Sequence, residues 1–409
     1  MADAEKTRKT GPLHGVKVLE ISQWIAGPAA GAILADFGAD VIKVEHPVRG
    51  DAWRGFINTT IHPVKDINFP FEQDNRNKRG ITLDLSKKEG QEVAHTLIGQ
   101  CDVLLTNLRP GELKRYDLEY ETISKKYPRL IWANVTGYGL VGPDCEQPGF
   151  DFSAFWARAG FQAIIKEPDR PPVFSRNAMG DHITCLSVFG GIILALYDRD
   201  RTGVGQEVII SLFGTGMWAL SYDIMAAMSI GSYIPPMKLE DRVAMASNYL
   251  TKDGKWIMLW VVTPDPVWSA FCKALEIEHI EKDERFSTFQ PRRDHNAELR
   301  PIVAEAMAKR TLEEWKPILS KHGIIFSPVQ DPLDLCKDPQ AWATGRFLAA
   351  EHPVYGNFHW VNNPIGLGNA PTTIRQPAPE FNQHTEEVLL ASGFSWEDIV
   401  QLKDKKVIA

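Results

Sequence analysis

Short apolar runs alternate with helical patterns over about the first 200 residues of the chain. Residues 16–21 and 39–44 have the pattern of buried strands, and they flank a helix of small residues at 28–37. This order predicts a parallel sheet whose crossover connections are helices. The pattern continues with strands at 80–85, 102–105 and 130–135 and an amphipathic helix at 88–98.

A long apolar run follows the dipeptide Gly180-Asp181. Residues 183–197 contain almost no polar side chain and have the length of a helix, which predicts a buried helix. The carboxylate at its start has two interpretations. Aspartate is a preferred helix cap. The positive end of a helix also stabilises a reactive carboxylate, and a preceding glycine lets a bulky group approach.

The composition changes after about residue 225, where helical patterns replace the alternation of strands and helices. A strand is predicted at 256–262, followed by helices at 267–275, 296–308 and 312–322. We interpret residues 225–330 as a smaller α+β domain. From about residue 331 the chain is rich in proline and is predicted to be loop-rich, with helices beginning near Thr385 and Ser395.

Composition and charge limit the class of protein. The 409 residues are 44% apolar and 24% charged with a net charge of -7, which is typical of a soluble globular protein and argues against nucleic-acid binding. Residues 1–13 contain no secretory signal and no stretch has the length of a membrane span, so we expect a cytoplasmic protein without membrane contact. The five scattered cysteines fit reduced thiols, and no metal-ligand spacing is present, so no metal is expected.

The turn after the first strand lacks the phosphate-binding glycine pattern of dinucleotide enzymes. It runs from Ser22 to Pro28 without G-x-G-x-x-G, which removes the main signature of a nicotinamide dehydrogenase. In open parallel sheets, ligands bind at the carboxyl ends of the strands. Ile25-Ala26, Asn107 and Gly137-Tyr138-Gly139 occupy such positions.

Several short blocks, none specific alone, occur in a fixed order along nearly the whole chain. They are Val18-Leu19-Glu20, Ala26-Gly27-Pro28, residues 38–45, 77–84, 106–111 and 135–139, Gly180-Asp181 and residues 202–206. On these blocks the chain resembles the family III CoA-transferases, the group of the formyl-CoA and carnitine enzymes. The resemblance implies an α/β fold and an interlocked homodimer. Its Rossmann-like large domain with a parallel sheet is expected at residues 1–224, the smaller α+β domain at 225–330, and a linker and return to the large domain at 331–409.

The resemblance also implies a mechanism. The family nucleophile is an aspartate in a Gly-Asp pair ahead of an apolar helix, which matches Asp181. By resemblance, Asp181 attacks the thioester of a donor acyl-CoA to give a mixed anhydride, and CoA converts this anhydride to an aspartyl-CoA thioester. An acceptor acid then leaves as its CoA ester by the reverse steps. CoA thioesters are thus expected as substrates, with no permanently bound cofactor.

Family contacts with CoA correspond to particular positions of this sequence. The CoA channel corresponds to Ala26, Asn107, Arg115, Gly137, Tyr138 and Gly139. The segment that holds the adenine end corresponds to Leu83, Asp84 and Leu85, and Lys78 and Arg79 are candidates for the CoA phosphates. Taken alone, each has an ordinary structural alternative as a turn residue, a surface charge or a packed aromatic.

Three positions depart from the formyl-CoA enzyme, which has Gln, Arg and Lys where this chain has Ile25, His46 and Thr136. Residues 244–249, the expected equivalent of its glycine-rich loop, are not rich in glycine. These departures argue against oxalate and formate and favour a larger or more apolar acid. His46, Thr136 and Gln23 are alternative candidates for the missing polar contacts.

Residues 148–160 sharpen the expected substrate. They resemble the anaerobic bacterial enzymes of amino acid fermentation that transfer CoA from an enoyl-CoA to a 2-hydroxy acid such as phenyllactate or 2-hydroxyisocaproate. The candidate acyl pocket consists of Gln23, Trp24, Ile25, Phe152, Phe155 and Trp156. Packing in the core is the alternative role of the aromatic residues.

Two other functions remain open from the sequence. A 2-methylacyl-CoA racemase of the same fold uses an aspartate equivalent to Asp181 with a histidine in a Gly-His-Asp triplet, but this chain has Phe150 there. His182 is a poor substitute, since neighbouring side chains of a helix diverge. A non-catalytic CoA-binding protein is the second alternative, against which the retained Asp181 argues.

Overall fold

The computed structural model describes residues 11–59, 66–261 and 263–409, and the chain divides into two compact units. The larger unit takes its described residues from Met1–Ala163, Phe174–Tyr233 and Thr344–Ala409. The smaller unit is formed by Ile164–Val173 and Ile234–Ala343. No sequence pattern marked the excursion of residues 164–173 into the smaller unit.

Strands and helices alternate through the larger unit. Its strands are β1 Lys17–Ile21, β2 Asp40–Glu45, β3 Arg79–Thr82, β4 Val103–Thr106, β5 Ile131–Thr136, β6 Glu207–Ser211, β10 Phe347–His352 and β11 Gly356–Val361. The strands of the smaller unit are β7 Asn248–Leu250, β8 Trp256–Leu259 and β9 Phe326–Pro328. The α-helices of the larger unit are Ala26–Asp36, Phe69–Asn75, Lys88–Ile98, Pro110–Arg115, Tyr120–Lys126, Met179–Thr202, Leu212–Ala219, Ser221–Ile230, Thr385–Ala391 and Trp396–Asp404, with Phe161–Ile164 at its border. Those of the smaller unit are Pro264–Leu275, Phe289–Asp294, Asn296–Met307, Leu312–Lys321, Pro332–Leu335 and Pro339–Ala343.

The larger unit is built on a six-stranded sheet with the order β3-β2-β1-β4-β5-β6. Each neighbouring pair is parallel, which confirms the predicted parallel α/β fold. Strand order reverses between β1 and β4, because the chain leaves β3 at one edge and re-enters the sheet beside β1. Such a switch point opens a crevice at the carboxyl ends of the two strands, where ligands bind.

Apolar side chains cover both faces of this sheet. Successive residues of β1 point to opposite faces, so Val18 joins one core cluster and Leu19 the other. The helices Ala26–Asp36 and Met179–Thr202 pack on the Val18 side. On the Leu19 side lie Lys88–Ile98 and the two C-terminal helices. The small residues of Ala26–Asp36 are all buried, which allows the neighbouring helix to approach closely.

The long helix, Met179–Thr202, is longer and less buried than the sequence predicts. Only one of its faces packs on the core, through residues such as Val188 and Ile192, whereas Leu194 is 71% exposed. The prediction of a buried helix is therefore wrong for the opposite face. By length and composition this helix is able to cross a membrane. A core helix of a soluble protein passes the same test, so this finding is weak evidence for a span.

The C-terminal part of the chain contains more regular structure than predicted. An antiparallel hairpin of β10 and β11 occupies a stretch expected to be loop-rich. The prolines of this stretch lie in the turn and on the flanks of the hairpin, so they mark the ends of the strands and do not interrupt them. Gly356 has φ +68° at the start of β11. In the smaller unit, β7, β8 and β9 form an antiparallel sheet. Residues 1–10 of the predicted polar start and Val262 of a predicted strand lie outside the described residues.

A buried ionic cluster joins the first two strands below their carboxyl ends. The ammonium of Lys43 on β2 lies 3.2 Å from Glu20 Oε1 and 2.7 Å from Asp51 Oδ2. Lys78 binds the other oxygen of Glu20 at 2.8 Å. Burial opposes the charge of Lys43, but Asp51 and Glu20 outweigh burial and raise its pKa.

We expect Lys43→Met to destabilise the larger unit strongly. The substitution leaves the buried carboxylate of Asp51 without its cation, which costs about 3–5 kcal/mol in the free energy of unfolding. Urea unfolding followed by tryptophan fluorescence measures this change. Lys405→Met, which breaks the exposed pair of Lys405 with Glu89, is the matched control and should leave the midpoint almost unchanged. Equal midpoints for the two variants would contradict the role given to the cluster.

Candidate active site

Two clefts lie at the carboxyl ends of the parallel strands. The first has a volume of about 420 Å³ and the second about 330 Å³. Both are lined by Gln23 after β1 and by Asn107 after β4, together with Leu108 and Glu112. The clefts therefore adjoin each other at the switch point of the sheet, where the topology favours a ligand. Their volumes are typical of small-molecule sites.

Asn107 links the two strands that border the switch point. Its amide oxygen accepts the N–H of Gln23 at 3.2 Å, and its amide nitrogen donates to the Gln23 carbonyl at 2.8 Å. The side chain predicted to contact CoA thus uses both of its polar groups to fix the turn after β1. Asn107 still lines both clefts.

The same turn holds a tryptophan in a strained conformation. Trp24 has φ +68°, which costs a bulky residue about 1–3 kcal/mol. Asp51 compensates, because its Oδ1 accepts the N–H of Trp24 at 3.0 Å and that of Trp53 at 2.9 Å. Asp51 is in turn held by Lys43 of the buried cluster. The core of the sheet therefore fixes the ring that lines the first cleft.

Aromatic rings form one wall of the first cleft. Trp24 contacts Phe150 edge to face with ring centroids 5.5 Å apart and lies 6.0 Å from Trp53. Trp53 lies 4.2 Å from Phe56. All four rings line the cleft, as do Gln23, Ile25, Ala26 and Phe152. This wall suits a ligand with an apolar or aromatic group.

Asp181 lines the same cleft from the first turn of the long helix. Ala178, with φ +70°, precedes the helix, and Asp181 is its third residue, so the interpretation of Asp181 as the helix cap is wrong. A carboxylate from another element takes the capping place. Asp151 Oδ1 accepts the N–H of Gly180 at 2.9 Å. A Cβ on Gly180 would lie 2.2 Å from that oxygen and 2.4 Å from the ring of Phe155, so only glycine fits.

Burial makes both carboxyl groups hard to ionise. Asp181 is 8% exposed and Asp151 4%. Burial, followed by the nearby charge of Asp151, raises the pKa of Asp181 to about 7. Burial also raises the pKa of Asp151 to about 6, although the N–H groups of the helix start oppose this shift. Pairs of titratable groups with shifted pKa values are typical of active sites.

His182 points away from this cleft. Its Nε2 lies 3.0 Å from Asp74 Oδ1, and both residues line a separate cavity of about 250 Å³. Burial opposes protonation of His182, but the carboxylate of Asp74 outweighs burial and raises its pKa. Asp74 also accepts the indole N–H of Trp53 at 3.1 Å. Asp181 and His182 thus face different cavities.

The second cleft contains part of the segment predicted to hold adenine. Leu83 and Leu85 line it, together with His46 and Arg49. Asp84 lies beside it with an oxygen 3.9 Å from His46 Nε2 and accepts the Ser86 hydroxyl at 2.6 Å. His46 Nδ1 accepts the N–H of Val48 at 3.1 Å, and burial and Arg49 lower its pKa. The structure therefore leaves only Nε2 of His46 for a ligand.

Three predicted cationic contacts lie outside both clefts. Lys78 is fully buried, where it is paired with Glu20 and donates to the carbonyl of Pro28 at 2.7 Å. Arg79 is paired with Asp40 at 2.7 Å and with Glu387 at 3.1 Å. Arg115 is exposed at the end of the helix Pro110–Arg115. Lys78 and Arg79 are thus engaged in ion pairs within the protein, and the exposed Arg115 lines neither cleft.

The turn after β5 reaches the first cleft through Thr136 and Gly137. Gly137 and Gly149 meet backbone to backbone, and a Cβ on Gly137 would lie 2.5 Å from the Cα of Gly149. Gly139 donates its N–H to Thr136 Oγ1 at 2.8 Å, so that hydroxyl is already engaged. Tyr138 and Gly139 do not line either cleft; the ring of Tyr138 lies under the guanidinium of Arg158 at 5.2 Å.

The predicted acyl pocket is partly corrected by the structure. Phe155 and Trp156 are buried in the core of the larger unit and do not line the cleft, because the π-helix Asp151–Arg158 turns them inward. Their places are taken by Trp53, Phe56 and Phe150, which sequence reasoning did not assign to the pocket. Trp53 and Phe56 lie in an irregular segment, and no local pattern links them to Asp181. Asp151 was also missed, although it completes the Gly-x-Asp triplet at 149–151.

Comparison with known proteins identifies the class. The model of CoA-transferase family III matches residues 13–385, and the chain belongs to this family. It is therefore a CoA-transferase that uses CoA thioesters. Within the described residues, no cluster of three or more His, Cys, Asp or Glu side chains is arranged to hold a metal ion.

Two similar proteins are named for 2-hydroxy acids. The chain is 35% identical over 397 residues to the (R)-2-hydroxy-4-methylpentanoate CoA-transferase of Clostridioides difficile, covering 97% of this chain and 99% of that one. It is 33% identical over 404 residues to the cinnamoyl-CoA:phenyllactate CoA-transferase of Clostridium sporogenes, covering 98% of each. A crystal structure of a CAIB/BAIF family protein from Brucella suis superposes with a TM-score of 0.82 at 30% identity, covering 94% of this chain and all of that one.

We expect Gly180→Ala to abolish most of the transferase activity. The new methyl group displaces Asp151 and Phe155 and with them the start of the long helix, and a shift of about 1 Å at a reacting group costs about 100-fold in rate. Steady-state transfer measures the loss. Gly190→Ala on the same helix is the matched control, since a Cβ at this position would have no atom within 4 Å. Equal activity of both variants would refute the packing argument.

Proposed function

We propose that the protein transfers CoA from an enoyl-CoA to a 2-hydroxy acid through covalent intermediates on Asp181. The observation that carries this proposal is a buried carboxylate facing an aromatic-walled cleft at the switch point of the sheet. Membership of the family supplies the reaction class.

Asp181 has the properties of a nucleophile. Its pKa of about 7 means that the carboxylate forms near neutral pH but stays more basic than an ordinary aspartate. Attack on the thioester gives a mixed anhydride and CoA thiolate, and attack of that thiolate on the aspartyl carbonyl gives aspartyl-CoA. Covalent catalysis of this kind divides one difficult exchange into easier steps. The thioester bond energy is conserved, so the reaction needs no ATP.

The walls of the first cleft support an apolar or aromatic acid. Trp24, Trp53, Phe56 and Phe150 present ring surfaces. Ile25, which replaces the glutamine of the formyl-CoA enzyme, adds an apolar side chain to the same wall. The C. sporogenes relative has phenyllactate in its name and the C. difficile relative a branched 2-hydroxy acid. We infer a 2-hydroxy acid with an aromatic or branched side chain as the acceptor.

A racemase is disfavoured by the geometry of the cleft. The position of the racemase histidine is Phe150, which is 49% exposed in the cleft and carries no exchangeable proton. His182, the nearest histidine in sequence to Asp181, is paired with Asp74 and lines another cavity. A pure binding protein would not need an ionisable group with a raised pKa at this position.

The second cleft is proposed to hold the nucleotide end of CoA. Leu83 and Leu85 offer apolar contacts for adenine, and Arg49 is the cation that lines this cleft beside His46. Because Lys78 is paired with Glu20 and Arg79 with Asp40, we assign the contact with the CoA phosphates to Arg49. Ala26 and Gly137 remain proposed contacts in the first cleft.

We also propose that the enzyme is a cytoplasmic homodimer. The helices Leu212–Ala219 and Ser221–Ile230 expose large apolar side chains, among them Trp218, Met228 and Ile230. Apolar patches of this kind mark protein interfaces. The interlocked arrangement follows from the resemblance to the family, and the cytoplasmic location from the five unpaired cysteines, all of which lie in the described residues.

We expect Asp181 to be modified during turnover. Incubation with cinnamoyl-CoA or another enoyl-CoA followed by hydroxylamine should convert Asp181 to a hydroxamate detectable by peptide mass. Asp181→Asn should reduce transfer at least about 1,000-fold, because the amide cannot form the anhydride. The exposed Asp200→Asn on the same helix is the matched control and should retain activity. Exchange of the α-proton of an acyl-CoA without transfer would favour a racemase instead.

We expect Phe150→Ala to weaken binding of an aromatic acceptor selectively. Loss of the edge-to-face contact and of ring area should raise KM for phenyllactate about tenfold, equivalent to about 1.4 kcal/mol. KM for lactate and for an acyl-CoA with a small aliphatic acyl group should change little. Phe289→Ala, a half-exposed phenylalanine of the smaller unit, serves as control. A uniform rise in all KM values would argue against a specificity role for the ring.

A further inference from the structure

The first turn of the long helix offers backbone N–H groups that its own carboxylate does not use. A carboxylate in this turn ordinarily gains stability from the helix dipole and from free N–H groups. Here Asp151 accepts the Gly180 N–H at 2.9 Å, and the N–H groups of Ala178 and Asp181 also stabilise its anion. Among the described residues, no hydrogen bond reaches the Asp181 carboxylate. The stabilisation therefore goes to Asp151.

Asp151 is also incompletely paired itself. Its Oδ2 is buried and has no hydrogen-bond partner within the described residues. A buried carboxylate oxygen without a partner is costly beside a second carboxyl group, and such arrangements are retained chiefly at functional sites. Both groups line the first cleft. The pair thus combines a fixed anion with a neighbouring carboxyl group that is free to react.

We propose that Asp151 is a positioning residue: it takes the N–H groups at the start of the long helix, leaves the Asp181 carboxylate in the cleft without hydrogen bonds from the described residues, and repels it until Asp181 is acylated. This inference rests on the proposed role of Asp181 as the nucleophile. An oxygen lone pair of Asp181 forms a C–O bond to the thioester carbon, the C–S bond breaks, and its electron pair leaves with the CoA thiolate. The negative charge passes from Asp181 to the thiolate, and no proton moves. Repulsion from Asp151 disfavours the free carboxylate but not the neutral anhydride.

Other charged groups near Asp181 do not cancel this repulsion. His182, the next residue on the same helix, lowers the pKa of Asp181, and Asp74 on the helix Phe69–Asn75 raises the pKa of Asp181. His182 is already paired with Asp74 at 3.0 Å and lines a different cavity. Among these neighbours, Asp151 has the largest effect on the Asp181 carboxyl group.

Asp151→Asn separates charge from geometry. The amide oxygen still accepts the Gly180 N–H, whereas the negative charge is lost. Labelling of Asp181 by a water-soluble carbodiimide and an amine, followed by peptide mass against pH without acyl-CoA, reports its protonation. We expect the Asp181 midpoint to fall by about one pH unit in the variant. The acid limb of the kcat/KM profile against pH should move to lower pH by the same amount. At the plateau, kcat should drop about tenfold with little change in KM. The exposed Asp200→Asn is the control.

An unchanged Asp181 midpoint in Asp151→Asn would overturn the inference. If the variant does not fold, the wild-type protein decides: Asp151 must lose reactivity toward carbodiimide at a lower pH than Asp181, and the reverse order refutes the proposal. A shifted midpoint without any acylation of Asp181 by acyl-CoA supports the electrostatic coupling while overturning the proposed function.

Discussion

The hydrogen bond from Gly180 N–H to Asp151 is the interaction on which the site depends. It fixes the start of the long helix, so Asp181 lies in the cleft and its carboxylate does not have to cap that helix. It exists only because residue 180 has no Cβ, since Asp151 and Phe155 occupy that space. A chain with a capping aspartate at 181 would stabilise its helix better and would leave the carboxylate less reactive. In the proposed mechanism, this arrangement favours reactivity over local stability.

The sheet supplies the precision that this chemistry needs. Its switch point brings the ends of β1 and β4 together, and Asn107 ties the two by hydrogen bonds to Gln23. Beneath them, the buried Lys43 holds Asp51, which holds the strained Trp24. Strain at a functional residue persists only where the surrounding structure fixes it. The ring of Trp24 is therefore part of a chain of contacts that begins in the core.

Much of the fold could be predicted from periodicity, because the parallel strands are buried on both faces and read as apolar runs. The helix Lys88–Ile98 was predicted at its observed bounds. The hairpin β10–β11 was missed because its strands are half-exposed and interrupted by polar residues. The sequence predicts a buried helix here because the apolar outer face of the long helix, including Leu194, looks the same in sequence as a core face.

The site was predictable only in part. Asp181, Ile25 and Ala26 could be located by resemblance, and they lie together in the cleft. Lys78 could not be judged from sequence, since a lysine beside a strand looks the same whether it meets a phosphate or a buried Glu20. Trp53, Phe56 and Asp151 reach the cleft through tertiary packing, which leaves no spacing pattern along the chain.

In the proposed mechanism Asp181 exchanges one of its own carboxyl oxygens during transfer, and an isotope label reveals this exchange. Turnover with a 2-hydroxy acid labelled with ¹⁸O in both carboxyl oxygens, followed by peptide mass, follows the label. If the acceptor attacks aspartyl-CoA and CoA then attacks the acyl carbonyl, one acceptor oxygen stays behind, and the peptide containing Asp181 becomes heavier. A product labelled in its thioester carbonyl together with an unlabelled Asp181 peptide would exclude the covalent route through Asp181.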